Sequence, residues 1–229
     1  MFDTTMVSGI SRSASQINSA MGRVYGHMAL AVLTSMIVSF VVGTNATLLA
    51  FFFTGAMKWV VIFAPLVAIL IAGFALESMS KPTLQFFLHG FAALMGLSFA
   101  TIFAVYNMGS IVSAFMSGAV LFGVMSFYGY FTKRDLTSIG QFLFVGLIAI
   151  IIASVINIFI GSSVFQMVIS ALAIIVFLGL TAYDTQQIRE MVSRDSGVAE
   201  EVMGALTLYL DFINLFISLL QLIGVKKDD

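Results

Sequence analysis

The sequence has 229 residues, 60% of them hydrophobic and 9% charged, with a mean hydropathy of +1.09; soluble domains carry roughly 25% charge, so a soluble globular protein is excluded. Ten Lys and Arg against eleven Asp and Glu leave a formal net charge of −1 with no basic stripe, hence no footprint for nucleic acid. Cysteine is absent and the only histidines are His27 and His89, which excludes disulfides and thiol chemistry and argues against a histidine-rich metal centre.

Residues 1–23 are polar and Ser-rich and are expected to form a cytoplasmic N-terminal tail; they hold no apolar stretch followed by a small-residue cleavage site, as a signal peptide would. Seven apolar runs follow: Val24–Thr44, Trp59–Leu76, Leu84–Tyr106, Ile111–Phe131, Ile139–Ile160, Val164–Tyr183 and Val202–Gly224. A helix needs about 20 apolar residues to cross a bilayer, so seven would use about 140. The prediction is an all-α integral membrane protein with one seven-helix domain over residues 24–224 and a short charged tail, 225–229. No internal repeat indicates inverted transporter symmetry.

Assigning alternate loops to opposite sides puts Arg12, Arg23, Lys81, Lys133, Arg134, Arg189 and Arg194 with the N-terminus, and Lys58, Lys226 and Lys227 opposite. That excess places the N-terminus in the cytoplasm. An odd number of crossings then sends Lys226 and Lys227 outward, unless the last segment is re-entrant. Small residues four apart, Ala64, Ala68 and Ala72 in the second run and Ser110, Ala114 and Gly118 in the fourth, mark close helix packing.

The last run carries the specific signal. Thr207, Asp211, Asn214, Ser218 and Gln221 follow one another at spacings of 4, 3, 4 and 3 and so share one helix face. Facing lipid, that stripe would be costly, so the seventh segment is expected to turn it toward protein or water as the central helix. Asp211 lies ten residues past Glu201, which at about 1.5 Å per residue is roughly 15 Å deep, the middle of a hydrocarbon core about 30 Å thick. Its expected partner is Asp184, at the end of the sixth run beside Tyr183, and Asp184 is shielded as well if the helix continues through Ile188, Met191 and Val192.

Two carboxylates close together in a low-dielectric site share a proton, which makes them a pH sensor. Fully ionised, they attract a hard divalent cation such as Ca²⁺. The plainer role is interhelical glue, with both side chains satisfied by Asn214, Thr181, Tyr183, Tyr209 or backbone. His27 and His89 are expected to be interfacial or interhelical residues, and Glu77, Lys81, Lys133, Arg134 and Asp135 to be solvated loop charges.

Gly179-Leu-Thr-Ala-Tyr-Asp-Thr-Gln-Gln187 and Ala205-Leu-Thr-Leu-Tyr-Leu-Asp-Phe-Ile-Asn-Leu-Phe216 resemble the two signature segments of the Bax inhibitor-1 family. Met125-Ser-Phe-Tyr-Gly-Tyr-Phe-Thr-Lys-Arg-Asp-Leu136 and Arg23-Val-Tyr-Gly26 add to the likeness, which covers nearly the whole chain and is similar to the bacterial inner-membrane branch. The resemblance implies a central last helix wrapped by six others and a pH-sensitive calcium leak governed by an aspartate pair, carried over by motif onto Asp184 and Asp211. One departure stands out. Some relatives have an acidic residue inside the second span and an Arg near its end that latches onto the aspartates, and this chain has neither.

Three functions compete. A passive cation leak needs lipid, Ca²⁺ and protons but no nucleotide, in keeping with the lack of a Gly-rich phosphate loop. A non-transporting regulator would bind another membrane protein such as a membrane protease, as some bacterial relatives do. An intramembrane aspartyl protease would also use two aspartates on two spans. That family, however, places Gly-x-Gly before its second Asp, where Leu208-Tyr-Leu210 stands here, and has a later Pro-Ala-Leu, whereas the only prolines are Pro65 and Pro82. No enzymatic activity and no resident cofactor are expected, with Ca²⁺ as the transported or bound ion.

Overall fold

The computed structural model of the protein describes residues 12–75, 79–194 and 197–227; Leu76, Glu77, the first eleven residues of the tail and residues 228–229 lie outside them. The described residues are helical apart from short connections and one isolated β-bridge.

Helix α1 (Ala14–Gly43) starts ten residues before the first apolar run, so the polar tail is shorter than expected. The cause is a capping box: the Gln16 N–H donates to Ser13 Oγ (3.4 Å) and the Ser13 N–H donates to Gln16 Oε1 (2.9 Å). A short helix, α2 (Ala46–Phe53), precedes α3 (Met57–Ala75) at a bend of 77°. Gly55 provides the positive φ of 58° in the connection. The third run contains α4 (Lys81–Ser98), a 3₁₀ turn (Phe99–Thr101) and α5 (Ile102–Val105). The rest are α6 (Met108–Phe131), α7 (Thr137–Ile160), α8 (Ser163–Arg194) and α9 (Val198–Ile223). Among the described residues, six helices are long and apolar enough to cross a membrane, or seven if the bent α2–α3 pair counts as one.

Helix α9 is the centre. Helices α1, α4, α6 and α8 pack directly on it, α3 lies outside on α4, and α7 lies outside on α8. Leu208, Tyr209, Leu215 and Leu220 of α9 are fully buried. The Ser35 hydroxyl fixes Tyr209, meeting its OH at 2.7 Å and donating to Ala92 O at 2.7 Å, which joins α1, α4 and α9. Helix α6 turns Ser110, Ala114 and Gly118 to α9, as the small-residue spacing predicts: Gly118 faces Phe216 and Leu219, and Ser110 Oγ accepts from the Val225 N–H at 2.9 Å. Gly129 is required where α6 crosses α8, since a Cβ there would stand 2.1 Å from Ala182 O.

Two sets of contacts define the ends of the bundle. At one end, Arg23 of α1 grips Glu201 of α9 through both carboxylate oxygens (2.8 and 2.6 Å), Tyr130 donates to Asn18, and the Arg189 guanidinium lies 5.0 Å over the Tyr130 ring. At the other, the Asn107 N–H donates to Val225 O (3.2 Å) and the Lys227 N–H to Val105 O (2.9 Å). The C-terminal residues therefore sit at the end opposite Arg23. Helix α9 is an unbroken 26-residue helix, about 39 Å long, and not a re-entrant hairpin.

The Glu201 side chain is 3% exposed and the Arg23 side chain 51% exposed. Removing the guanidinium strands a buried carboxylate, whereas Glu201→Gln leaves only a neutral amide. Arg23→Ala is thus expected to lower stability by about 2 kcal/mol, between the ranges for exposed and buried pairs, and Glu201→Gln by less. Thermal melting of the two variants in detergent checks the order.

Candidate functional site: a polar cleft with paired carboxyls

Helices α8 and α9 run antiparallel as a hairpin, and α7 leans on α8 without packing along α9. The space left between α7, α8 and α9 is a cleft of about 930 Å³. All five stripe residues, Thr207, Asp211, Asn214, Ser218 and Gln221, line it, as do Tyr183 and Asp184 from α8. The periodicity of the last run therefore located a real surface. Over the turns from Thr207 to Gln221 the polar wall is about 21 Å long.

Helix α8 continues to Arg194 because Ile188 and Val192 bury themselves in the bundle, so Asp184 sits ten residues inside the helix end. The Asp184 and Asp211 carboxyls are neighbours on facing helices and line the same cleft. Asp211 is 5% exposed and its Oδ2 is buried without a hydrogen-bond partner, while Asp184 is half-buried on the cleft wall. Two ionised carboxylates only accept, so the pair is satisfied when it holds a proton. Three of the groups considered as glue are engaged elsewhere. Thr181 donates to Phe177 O (2.7 Å), Asn214 to Leu210 O (2.8 Å), and Tyr209 is bound to Ser35. Among the described residues, no lysine, arginine or histidine lines the cleft.

The stripe is chemically one-sided. Thr207 Oγ1 donates to Met203 O (3.1 Å), Ser218 Oγ to Asn214 O (2.7 Å), and the Asn214 amide nitrogen to Leu210 O. Each spends a proton on the carbonyl four residues back in its own helix. What remains for the cleft is the hydroxyl lone pairs of Thr207 and Ser218, the Asn214 amide oxygen and one Asn214 N–H, a surface richer in acceptors than donors, which suits a cation better than an anion.

Sequence reasoning missed the opposite wall. Gln166 and Ser170 of α8, with Gln141 and Ser154 of α7, also line the cleft, and Asn157 is buried beside it. They lie inside runs read as apolar, yet Gln166 and Ser170 are one helical turn apart, the kind of signal that exposed the α9 stripe. His89 is interhelical as expected, with Nδ1 3.1 Å from Thr34 Oγ1. Asp135, in the exposed α6–α7 loop, is held below the ordinary value of 3.8 by hydrogen bonds from the hydroxyl and backbone N–H of Thr137. The stability it contributes is present above its unfolded value and lost only as pH falls through the lower folded one.

The chain matches the family model described as "Inhibitor of apoptosis-promoting Bax1" over residues 17–228. It is similar to the inner membrane protein YbhL of Escherichia coli K12, 36% identical over 218 residues that cover 92% of this chain and 93% of that protein. It is also similar to the uncharacterized protein RP147 of Rickettsia prowazekii, at 37% over 210 residues (90% and 89% covered). A protein of Borreliella burgdorferi is 37% identical over 218 residues (93% and 94% covered). With its helical fold, its central last helix and a match over nearly its full length, the chain belongs to the Bax inhibitor-1 family of membrane proteins.

Proposed function

We propose that this protein is a passive, pH-sensitive cation leak in the bacterial inner membrane, with calcium as its ion and the Asp184–Asp211 pair as its gate. One observation carries the reading: two neighbouring carboxyls, Asp211 buried and Asp184 half-buried, open onto a cleft whose α9 wall offers oxygen lone pairs toward Gln221. Calcium takes six to eight oxygen ligands. Among the described residues no third acidic or histidine side chain joins the pair. Two carboxylates helped by neutral oxygens hold such an ion weakly, which suits passage better than storage. The gradient supplies the driving force, and the aspartates act as a charge switch with no catalytic step.

The side assignment rests on charge. The Arg23 end of the bundle also carries Arg12, Lys81, Lys133, Arg134, Arg189 and Arg194, against Lys58, Lys226 and Lys227 at the other, which favours a cytoplasmic N-terminus. That the similar YbhL is an inner membrane protein supports the location. The test is calcium uptake into liposomes by wild type, Asp184→Asn and Asp211→Asn across a pH series. Folded protein that passes no ion at any pH sinks the leak and leaves a regulator of another membrane protein.

A further inference from the structure

At the end of the cleft away from Arg23, three carboxamides and a hydroxyl from three helices meet. Asn157 is in the last turn of α7, Gln166 in the first turn of α8, and Gln221 in the last turn of α9. Asn157 Nδ2 donates to Gln166 Oε1 (3.0 Å), and Gln166 Nε2 donates to Gln221 Oε1 (3.0 Å) and Ser170 Oγ (3.4 Å). Ser170 Oγ donates to the same Gln221 Oε1 (3.0 Å). Asn157 is anchored in turn: its Oδ1 accepts from the Ser162 N–H (3.2 Å) and its carbonyl from the Gly161 N–H (2.8 Å), Gly161 taking the left-handed φ of 68° that closes the α7–α8 turn.

The cluster inverts the chemistry of the stripe that leads to it. From Thr207 to Ser218 the side-chain oxygens are left open to the cleft, but at Gln221 the oxygen is held by two donors from α8. The Gln221 oxygen is therefore no open acceptor, and the amide bridge ties α8 to α9 at that end of the cleft, with Gln166 half-buried and Gln221 exposed at its mouth. Carboxamides do not titrate, so protons leave this barrier unchanged.

We propose that Asn157, Gln166 and Gln221, with the Ser170 hydroxyl, form a second, pH-independent gate that closes the cleft at the end opposite Arg23. The proposal rests on the leak reading for its function but not for its geometry. The gate opens when the Gln166–Gln221 bridge parts and Gln221 Oε1 becomes one more cation ligand. Whatever weakens the bridge raises the open population at every pH.

The cysteine-free chain allows a direct test, because Ser218→Cys puts a single thiol in the cleft one turn behind Gln221. In proteoliposomes, a membrane-impermeant thiol reagent is expected to label it slowly in the otherwise unchanged protein. Labelling should be roughly five- to tenfold faster when Gln166→Met or Gln221→Met is added, the scale of one or two net hydrogen bonds lost. Methionine keeps the side-chain length, so a role in filling space would be preserved and a hydrogen-bonding role lost; two variants guard against one that misfolds. Calcium flux, read in separate vesicles in which Ser218 is kept and Gln166→Met or Gln221→Met is the only change, should rise by a similar factor at every pH and keep the shape of its pH profile. Equal labelling with and without the methionine in folded protein overturns the gate even if wild type leaks. Faster labelling with no flux in any variant upholds the gate and removes the leak.

Discussion

Calcium uptake by liposomes containing the purified protein is expected to rise as pH increases from about 5 to about 8, and Asp184→Asn and Asp211→Asn are each expected to flatten that rise. The sign follows from what surrounds the pair. Around Asp184 and Asp211 the cleft presents Tyr183, Thr207 and Asn214 but no cation among the described residues, so nothing offsets a second negative charge. With one proton between them the carboxyls stay paired. As pH rises and that proton leaves, two neighbouring charges in a poorly solvated site repel, the closed packing of α8 on α9 is penalised, and the ionised pair draws in Ca²⁺. Below its midpoint such a one-proton switch changes about tenfold per pH unit, so a rise on the order of tenfold or more is expected over the series.

An asparagine at either position leaves a single carboxyl without a like-charged neighbour, and the steep response goes with it. Asp135→Ala is the control. That carboxyl is exposed and already held below its ordinary value by Thr137, so it stays ionised throughout the series and its loss should leave the profile unchanged. A flux that falls as pH rises, or one whose pH response survives in both asparagine variants, would remove the pair as the gate.

The aspartate site was legible in the sequence because intramembrane polarity is costly and therefore sparse. A stripe at spacings of 4, 3, 4 and 3 has one structural solution, a polar helix face turned inward, and the structure turns all five side chains into one cleft. The continuation of α8 past Tyr183 was readable from Ile188, Met191 and Val192. Other features were hidden by averaging. A run of apolar residues conceals one or two amides, so Asn157 and Gln166, each within a turn of a helix end, disappeared into the spans. The eight residues of α2 fell between runs, being too short to cross. The earlier start of α1 was encoded in Ser13-Ala-Ser-Gln16, a capping box that a hydropathy reading passes over. The Arg23–Glu201 pair joins positions 178 apart and had no local signature at all.

Replacing Asp211 by leucine is expected to make the folded protein more stable, by about 1–2 kcal/mol in detergent, while abolishing pH-dependent flux. Asp211 is 5% exposed, its Oδ2 has no donor, and apolar Phe212, Leu208 and Leu215 surround its helix position in the core. A buried polar atom without a partner costs about 1–3 kcal/mol, and an aliphatic side chain of similar size removes that cost and adds packing. Asp184→Leu should gain less, since Asp184 is only half-buried and already reaches the cleft. The comparison separates the two roles open to this pair. If the aspartates were glue between α8 and α9, removing Asp211 would loosen the hairpin and the melting temperature would fall. If Asp211 is retained for its charge, at the expense of the fold, the temperature rises. A clear fall with Asp211→Leu, unaccompanied by a fall with Asp211→Asn, would instead assign the site to holding the helices together.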